Sequence, residues 1–171
     1  VRDLMLLTTN MRHKLLFALM YTYARRLGEV ISLTWDDIDF EAGTITFNIL
    51  KKKGVHRATF PLDETLAKML RVLRRKSGGR RVFNMSERAA EIAFRSALRK
   101  AGIKPNGRRL TPHTLRSSRI THLLKNGTPI DVVSKHVARH SNFNTTLQFY
   151  RAITGEEALR IPLYEDFMRS V

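Results

Sequence analysis

Three short patterns in this 171-residue chain combine cationic side chains with a glutamate, a histidine or a tyrosine. They are Arg26–Glu29, His113–Arg116 and His140–Tyr150. Each pattern alone is ordinary, because an arginine and a glutamate three positions apart form a common ion pair on a helix, and a single histidine or tyrosine serves solvation or packing. Their joint presence, far apart in the sequence, raises the hypothesis that folding assembles them into one site.

Together these side chains have the chemistry needed for phosphoryl transfer. The transition state carries excess negative charge on its non-bridging oxygens, which the guanidiniums of Arg26 and Arg116 can bind with paired hydrogen bonds. A tyrosine hydroxyl, with an ordinary pKa of about 10, forms a covalent phosphoester once cations or a base help it to ionise. Tyr150 is the candidate nucleophile, His113 its base or hydrogen-bond partner, and His140 a second donor to the phosphate.

The overall charge indicates a polyanionic partner. The chain has 31 Lys and Arg against 15 Asp and Glu, a formal charge of +16, and such an excess repels itself in a compact domain. Nucleic acid is the leading partner, because its phosphates release counterions on binding. A basic protein without such a partner is the alternative.

Several other kinds of chemistry are disfavoured. The chain has no cysteine, which excludes disulfides, thiolate zinc sites and cysteine nucleophiles. It has no glycine-rich loop for ATP, and its acidic residues do not cluster as they would around two metal ions. We therefore expect a reaction that needs no metal or other cofactor. Apolar runs such as Leu15–Met20 are too short to span a membrane.

The elements that must position these patterns are mainly helical. Thr9 and Asn10 predict a helix start, as do Thr111-Pro112 and Thr128-Pro129. Asn144 is predicted to cap a last short helix that carries the tyrosine. The remaining predictions are strands over Thr44–Leu50 and Val55–Phe60, a turn at Lys51–Gly54, and a helix from Ser86 to about Ala101 with Gly102 as its C-terminal cap.

The order of the patterns resembles the tyrosine recombinase family, to which phage integrases belong. Arg-x-x-Glu, a hairpin lysine, His-x-x-Arg, His-Ser with Thr-Thr, and a tyrosine follow one another between about residues 10 and 155. The resemblance implies that family's catalytic fold, mainly α with a small antiparallel β-hairpin or sheet, and it makes Glu29 the support of the first arginine. The catalytic residues that it implies are Arg26, Lys52, His113, Arg116, His140 and Tyr150.

The resemblance also implies the reaction. Tyr150 would attack one DNA strand, leaving a 3′-phosphotyrosyl link and a free 5′ hydroxyl, while Lys52 acts as general acid because neighbouring cations lower an ammonium pKa. Strand exchange would follow in a homotetramer on double-stranded DNA, with a monomer when free. A type IB topoisomerase-like enzyme and a non-catalytic helical DNA-binding regulator are the alternatives.

The sequence departs from the family pattern near the nucleophile. Arg139 precedes His140 where glycine is usual, and ten positions separate His140 from Tyr150 where nine are usual. One extra residue turns a helical side chain by about 100°. Tyr23 and Tyr164 therefore stay open as alternative nucleophiles, and we expect Tyr150 on a mobile C-terminal segment, out of attack position without DNA.

The identity of the lysine is also open. Lys51, Lys52 and Lys53 share one turn, and strand alternation lets only one or two of them face a phosphate. Lys52 has the family spacing and Lys53 is the runner-up. His122 and His136, on helices among apolar residues, are predicted to be half-buried structural histidines. Further DNA contacts are predicted at Lys51, Lys53, His56, Arg57 and Arg139.

The organisation of the whole protein is a further expectation. The chain has no starting methionine, so we expect a fragment of a longer protein, with a single catalytic domain over 1–171 and without the N-terminal core-binding domain usual in the family. The apolar tail 161–171 is expected to pack in trans on a neighbouring subunit. We expect a cytoplasmic, DNA-associated protein of bacterial, archaeal or phage origin.

Overall fold

A computed structural model describes residues 1–51, 54–105, 107, 109–139 and 142–158. Within these ranges the chain forms eight α-helices and one three-stranded antiparallel sheet, which confirms the prediction of a mainly α chain with a small sheet. Two compact units divide inside helix α6 (His113–Lys125), one covering residues 1–119 and the other beginning at Ile120. The single domain expected over 1–171 stays a prediction. None of the described helices combines the length and the apolar character that crossing a membrane requires.

The first unit begins with helices α1 (Arg2–Leu7), α2 (Met11–Thr22) and α3 (Leu27–Ile31). Helix α2 starts as predicted, because the Asn10 side chain accepts a hydrogen bond from the amide of His13 at 3.1 Å. Most of its middle is buried in the core, as is typical of a helix that is apolar on several faces. Helix α1 was not predicted, since six residues are too few to show a periodic pattern.

A short 3₁₀ turn leads from α3 into the sheet, whose strands follow one another in chain order. The two longer strands pair along their whole length in antiparallel register. Alternate side chains of the middle strand are buried, as the period of two along a strand requires. The bounds are Trp35–Asp37 for the 3₁₀ turn, Ile38–Asp39 for β1, Thr44–Lys51 for β2 and Gly54–Pro61 for β3.

Helices α4 (Glu64–Arg75) and α5 (Glu87–Lys100) both pack against α2. The Asp63 carboxylate caps α4 by accepting a hydrogen bond from the amide three residues on at 2.9 Å. The Ser86 hydroxyl caps α5 in the same way at 3.2 Å, which confirms the predicted start of that helix.

The second unit contains α7 (Ile130–Val132), a π-helical turn (Val133–Ala138) and α8 (Phe143–Ala158). The predicted cap at Asn144 is wrong. The cap lies two residues earlier, where the side chain of Asn142 accepts a hydrogen bond from the Asn144 amide at 2.9 Å. The helix has 16 residues and is not short.

Two histidines lie differently from the prediction. His122 and His136 are both exposed, so the prediction that they are half-buried is wrong. The buried positions of α6 on either side of His122 are Ile120 and Leu124, and a residue midway between them points to the opposite side of the helix.

Candidate active site

Arg26 stands at the junction of α2 and α3, where a buried glutamate fixes it. Glu29 is 1% exposed, and its carboxylate accepts two hydrogen bonds at 3.0 Å, one from the backbone N–H of Arg26 and one from its guanidinium. The first bond satisfies an amide that no helical carbonyl reaches at the start of α3. Since 43% of the Arg26 side chain is exposed, its guanidinium is held on one side and open to a ligand on the other.

Arg116 lies in the first turn of α6 and is almost fully buried. Its Nη1 donates a hydrogen bond to the backbone carbonyl of Ala24, 92 residues earlier in the chain. Ala24 has a φ of +51°, in the left-handed region that costs a non-glycine residue about 1–2 kcal/mol. This bond ties the turn after α2 to the start of α6, so that folding brings the first two sequence patterns together.

The cluster carries more positive than negative charge and shifts two pKa values. Burial, followed by the charges of Arg26 and Arg25, lowers the pKa of Arg116 to about 9, and Glu29 opposes the shift. The Arg116 guanidinium therefore stays protonated at neutral pH. His113 is exposed overall, yet partial burial of its ring, and then the charges of Arg116 and Arg26, lower its pKa below the ordinary 6.5. A ring that is neutral at pH 7 can accept a proton or a hydrogen bond.

Arg25 belongs to the same cluster and was missed in the sequence. It is fully buried, and its Nε donates a hydrogen bond to the Tyr23 carbonyl at 2.7 Å. Its guanidinium lies 5.1 Å from the ring centroid of Phe60 and 5.9 Å from that of Phe47, and such aromatic faces stabilise a buried cation. The available signal was the Arg25-Arg26 doublet after an apolar helix, which does not reveal which arginine is buried.

The hairpin residues predicted to contact DNA are described only in part. The backbone of Lys51 is described, at the end of β2, while Lys52 and Lys53 lie outside the described residues. His56 and Arg57 are exposed on β3, and Arg57 Nη2 lies 2.9 Å from Asp37 Oδ1. Both side chains are therefore accessible to a ligand.

Tyr150 lies in the second unit, on α8, and is 42% exposed. His140 lies outside the described residues. Arg139 ends the π-helical turn with a φ of +51°, a torsion that glycine adopts without steric cost. This torsion gives a physical reason for the glycine that is usual at this position of the family.

Tyr23, the alternative nucleophile in the first unit, is engaged in the fold. It is 7% exposed, and its hydroxyl donates a hydrogen bond to the Pro61 carbonyl and accepts one from the Asp63 amide, both at 3.0 Å. Burial raises its pKa above 10, which disfavours ionisation. Tyr164 lies outside the described residues. Over the described part of the chain, no three His, Asp or Glu side chains are grouped so that they could hold a metal ion.

Comparison with known proteins places the chain in a family. Residues 2–157 match the model of the phage integrase family. The chain is 30% identical over 159 residues to tyrosine recombinase XerA of Thermococcus kodakarensis, an alignment that covers 86% of this chain and 53% of the relative. It is 28% identical over 160 residues to tyrosine recombinase XerD of Mycobacterium tuberculosis (strain ATCC 25618 / H37Rv), covering 85% and 49%. The chain spans about half the length of these curated relatives.

Solved structures share the fold at lower sequence identity. The crystal structure of XerA recombinase matches with a TM-score of 0.74 at 20% identity, covering 95% of this chain and 63% of that one. A lambda integrase dimer bound to a COC′ core site matches with a TM-score of 0.69 at 19% identity, covering 87% and 45%. These matches confirm the predicted tyrosine recombinase fold. The family model also matches nearly the whole length of this chain, and the chain therefore belongs to the phage integrase family.

Proposed function

We propose that this chain is the catalytic domain of a tyrosine recombinase, which cuts and rejoins double-stranded DNA at a specific site through a covalent bond to Tyr150. The observation that carries the proposal is the fixed cluster in which Arg26, His113 and Arg116 influence one another around Glu29. Membership of the phage integrase family and the formal charge of +16 support DNA as the substrate.

In this proposal Arg26 and Arg116 bind the non-bridging oxygens of the scissile phosphate. They come from separate elements, the start of α3 and the first turn of α6, so they can approach different oxygens. Three arginines with Glu29 as their acidic neighbour also gain from an incoming phosphate, because its charge relieves the repulsion that, after burial, lowers the Arg116 pKa. Hydrogen bonds from a desolvated guanidinium are strengthened by the low local dielectric. A positioned donor of this kind contributes about 2.7–4 kcal/mol to transition-state stabilisation.

The remaining groups move protons. His113 accepts the hydroxyl proton of Tyr150 or its hydrogen bond, the tyrosyl oxygen attacks phosphorus, and the bond from phosphorus to the 5′ oxygen breaks. Lys52, with Lys53 as runner-up, donates a proton to that oxygen, and His140 is a second donor to the phosphate. The 5′ hydroxyl of a partner strand then attacks the phosphotyrosyl bond. Each step exchanges one phosphoester for another, so the reaction requires no ATP and no metal ion.

The partners follow from the same proposal. XerH was solved bound to its difH substrate and lambda integrase bound to a core site, and we infer that this chain also binds a specific duplex. We infer further that the recombinase is a homotetramer on DNA and a monomer when free. Tail 161–171, which lies outside the described residues, is proposed to pack in trans on a neighbouring subunit. The proposed further DNA contacts are Lys51, Lys53, His56, Arg57 and Arg139.

Trapping the covalent intermediate tests the proposal. A nicked duplex carrying the recombination site, verified first by footprinting, is incubated with the wild type, Tyr150→Phe and Tyr164→Phe, and the products are denatured. We expect a 3′ protein–DNA adduct with the wild type and with Tyr164→Phe, and none with Tyr150→Phe. A wild type that forms no adduct on the verified site, or an adduct that persists in Tyr150→Phe, overturns the assignment.

Two further readouts separate the alternative functions. Relaxation of a supercoiled plasmid without exchange between two sites would indicate a type IB topoisomerase-like enzyme. Specific binding without any adduct would indicate a DNA-binding regulator. The recombinase predicts strand exchange between two site-bearing duplexes.

A further inference from the structure

A basic pocket lies at the opposite end of α2 from the arginine cluster. It has a volume of about 440 Å³ and is formed by the first turn of α2 and the segment that follows α4. Helix α2 has 12 residues, which span about 18 Å, with Arg12 near its start and Arg25 beyond its end. The pocket is therefore a separate site within the first unit. The lining residues that matter here are Arg12, Lys76, Ser77, Arg80 and Arg81.

The charge of this pocket is strongly one-sided. Arg12, Lys76, Arg80 and Arg81 all line it. Among the residues that the structure describes, Arg80 forms an ion pair with Asp36, with 3.1 Å between Nε and Oδ2. Both of these side chains are largely exposed. Converging cations with so little acidic compensation favour an anionic ligand.

Two polar atoms of the pocket residues are buried without a partner. Within the described ranges, neither Arg12 Nε nor Ser77 Oγ has a hydrogen-bond partner. Buried polar groups in folded proteins nearly always have one, so an N–H and a hydroxyl without partners, in residues that line a cavity, indicate a ligand that accepts hydrogen bonds.

The walls of the pocket are held by backbone hydrogen bonds. The Arg80 carbonyl accepts one from the Trp35 amide at 3.0 Å, and the Val82 amide donates one to the segment that follows α3 at 3.0 Å. On the other side the Ser77 amide donates to a carbonyl in the last turn of α4 at 3.1 Å. Between them, Gly78–Gly79 are exposed, and an added Cβ on either would meet nothing within 4 Å. The backbone of both walls is therefore fixed, and the glycine segment between them is accessible from solvent.

We propose that this pocket binds a phosphoryl group, with Arg12 and Ser77 as hydrogen-bond donors and Lys76 and Arg81 supplying charge. A phosphate matches the site because it is anionic and offers several acceptor oxygens in a tetrahedral arrangement to donors from both walls. The group comes either from free phosphate or from the backbone of DNA, which have the same recognition chemistry. The site goes beyond the proposed function, since none of its residues belongs to the arginine cluster.

A phosphate titration followed by NMR tests the site. The ¹⁵N-labelled 171-residue chain is titrated with inorganic phosphate at constant ionic strength, with chloride as the control. We expect the amide chemical shifts of Gly78–Gly79 to change saturably with phosphate. The amides of Leu27–Gly28 report on the arginine cluster, and their shifts are analysed separately. Arg12→Gln should weaken binding at Gly78–Gly79 by about tenfold, and Ser77→Ala by about threefold.

Arg88→Gln is the matched control, because it removes the same charge from an exposed position on α5 outside the pocket. Unchanged shifts elsewhere in the spectrum show that each variant is folded. The proposal fails if phosphate moves Gly78–Gly79 no more than chloride does, or if Arg12→Gln and Arg88→Gln bind phosphate equally well at these amides.

A second titration identifies the source of the phosphate. A short duplex of unrelated sequence is added in place of inorganic phosphate. If the duplex changes the amide chemical shifts of Gly78–Gly79, and Arg12→Gln reduces this change, the site binds the DNA backbone. If the duplex leaves these two amide signals unchanged, the site binds free phosphate. Neither outcome depends on adduct formation by Tyr150, so failure of this proposal and failure of the proposed function are distinguishable.

Discussion

Two turns of the molecule share one backbone torsion and differ in what holds it. Ala24 in the first unit and Arg139 in the second both have a φ of +51°, and within the described ranges they are the non-glycine residues with positive φ. Ala24 is fully buried and its carbonyl accepts the hydrogen bond of Arg116 from 92 residues away. Arg139 is half-buried, and its amide donates to the carbonyl of Ser134, only five residues earlier.

The comparison shows that a tertiary contact can be added to a turn that local bonds already close, since the Ala24 amide donates to the Tyr21 carbonyl at 3.1 Å and the Arg25 amide to the Met20 carbonyl at 3.0 Å. Strained residues persist only where their surroundings determine them. At Ala24 local backbone bonds and the contact from Arg116 do so together, and at Arg139 the end of a π-helical turn contributes.

Ala24 lies two residues before Arg26 and Arg139 directly before His140. Both of the later residues are proposed to act on the phosphate, so both sites of strain bear on the proposed chemistry. The first turn should tolerate little change, while the second should relax when glycine replaces arginine.

The largest effect is expected from Arg116→Lys, which breaks the tie at the first turn. Lysine keeps the charge but lacks the planar fork that can bind the Ala24 carbonyl and a phosphate together. The rate of adduct formation on the nicked duplex should fall about 100-fold or more. Arg119→Lys is the matched control on the same helix, where the guanidinium lies 5.5 Å from the ring centroid of Tyr21. This variant should lower the rate of adduct formation by less than about fivefold. Equal losses in the two variants would contradict the special role of the Ala24 contact.

A second substitution tests how firmly the first turn is held. Ala24→Val places a β-branched side chain at a torsion that such residues avoid, in a position that is fully buried. The free energy of unfolding should fall by about 2–4 kcal/mol in urea denaturation. Ala18→Val on α2 makes the same change at a helical, half-buried position and should cost less than about 1 kcal/mol. If the two variants are equally stable, the surroundings of Ala24 do not determine its torsion.

A third, smaller effect is a pH dependence of stability that arises beside the first turn. The folded-state pKa of His113 lies below 6.5, first through partial burial and then through Arg116 and Arg26. The unfolded state therefore binds more protons, so this contribution to stability is complete above about pH 6.5 and is lost as the pH falls towards the folded pKa. His113→Asn should lose less stability than the wild type between about pH 7 and pH 5.

His13 supplies the control for this pH dependence, because its pKa is also lowered, by burial and then by Arg12, outside the cluster. His13→Asn should likewise flatten the profile, and the double variant with His113→Asn should flatten it further. A profile in His113→Asn that is as steep as in the wild type would show that the cluster does not act on this histidine.

The fold was predictable where its signals are local. Capping depends on a few neighbouring residues, so the starts of α2 at Asn10 and of α5 at Ser86 are confirmed. The cap of α8 was placed wrongly because Asn142 and Asn144 are equally suitable residue types. The choice between them depends on where the preceding π-helical turn ends, which no local pattern reveals.

The residue types of the site were predictable, but the backbone torsion and the buried contacts that hold them in place were not. Arg26 and Glu29 are one helical turn apart, so their ion pair follows from their spacing. The torsion of Ala24 leaves no trace in the sequence, because alanine is not a residue that marks left-handed backbone. The burial of Arg25 between two aromatic rings depends on where β2 and β3 meet α2, which only the folded chain determines.

The smallest effect separates the two turns directly. Glycine adopts a φ of +51° without steric cost, so Arg139→Gly should raise the free energy of unfolding by about 0.5–1 kcal/mol, the strain released less the added entropy of the unfolded chain. At Ala24 the same replacement also removes a fully buried methyl group, which is worth about 0.8 kcal/mol. Ala24→Gly should therefore stay within about 0.5 kcal/mol of the wild type. Urea denaturation of both variants measures the difference, and a larger gain at Ala24 than at Arg139 would show that burial is not what distinguishes the two turns.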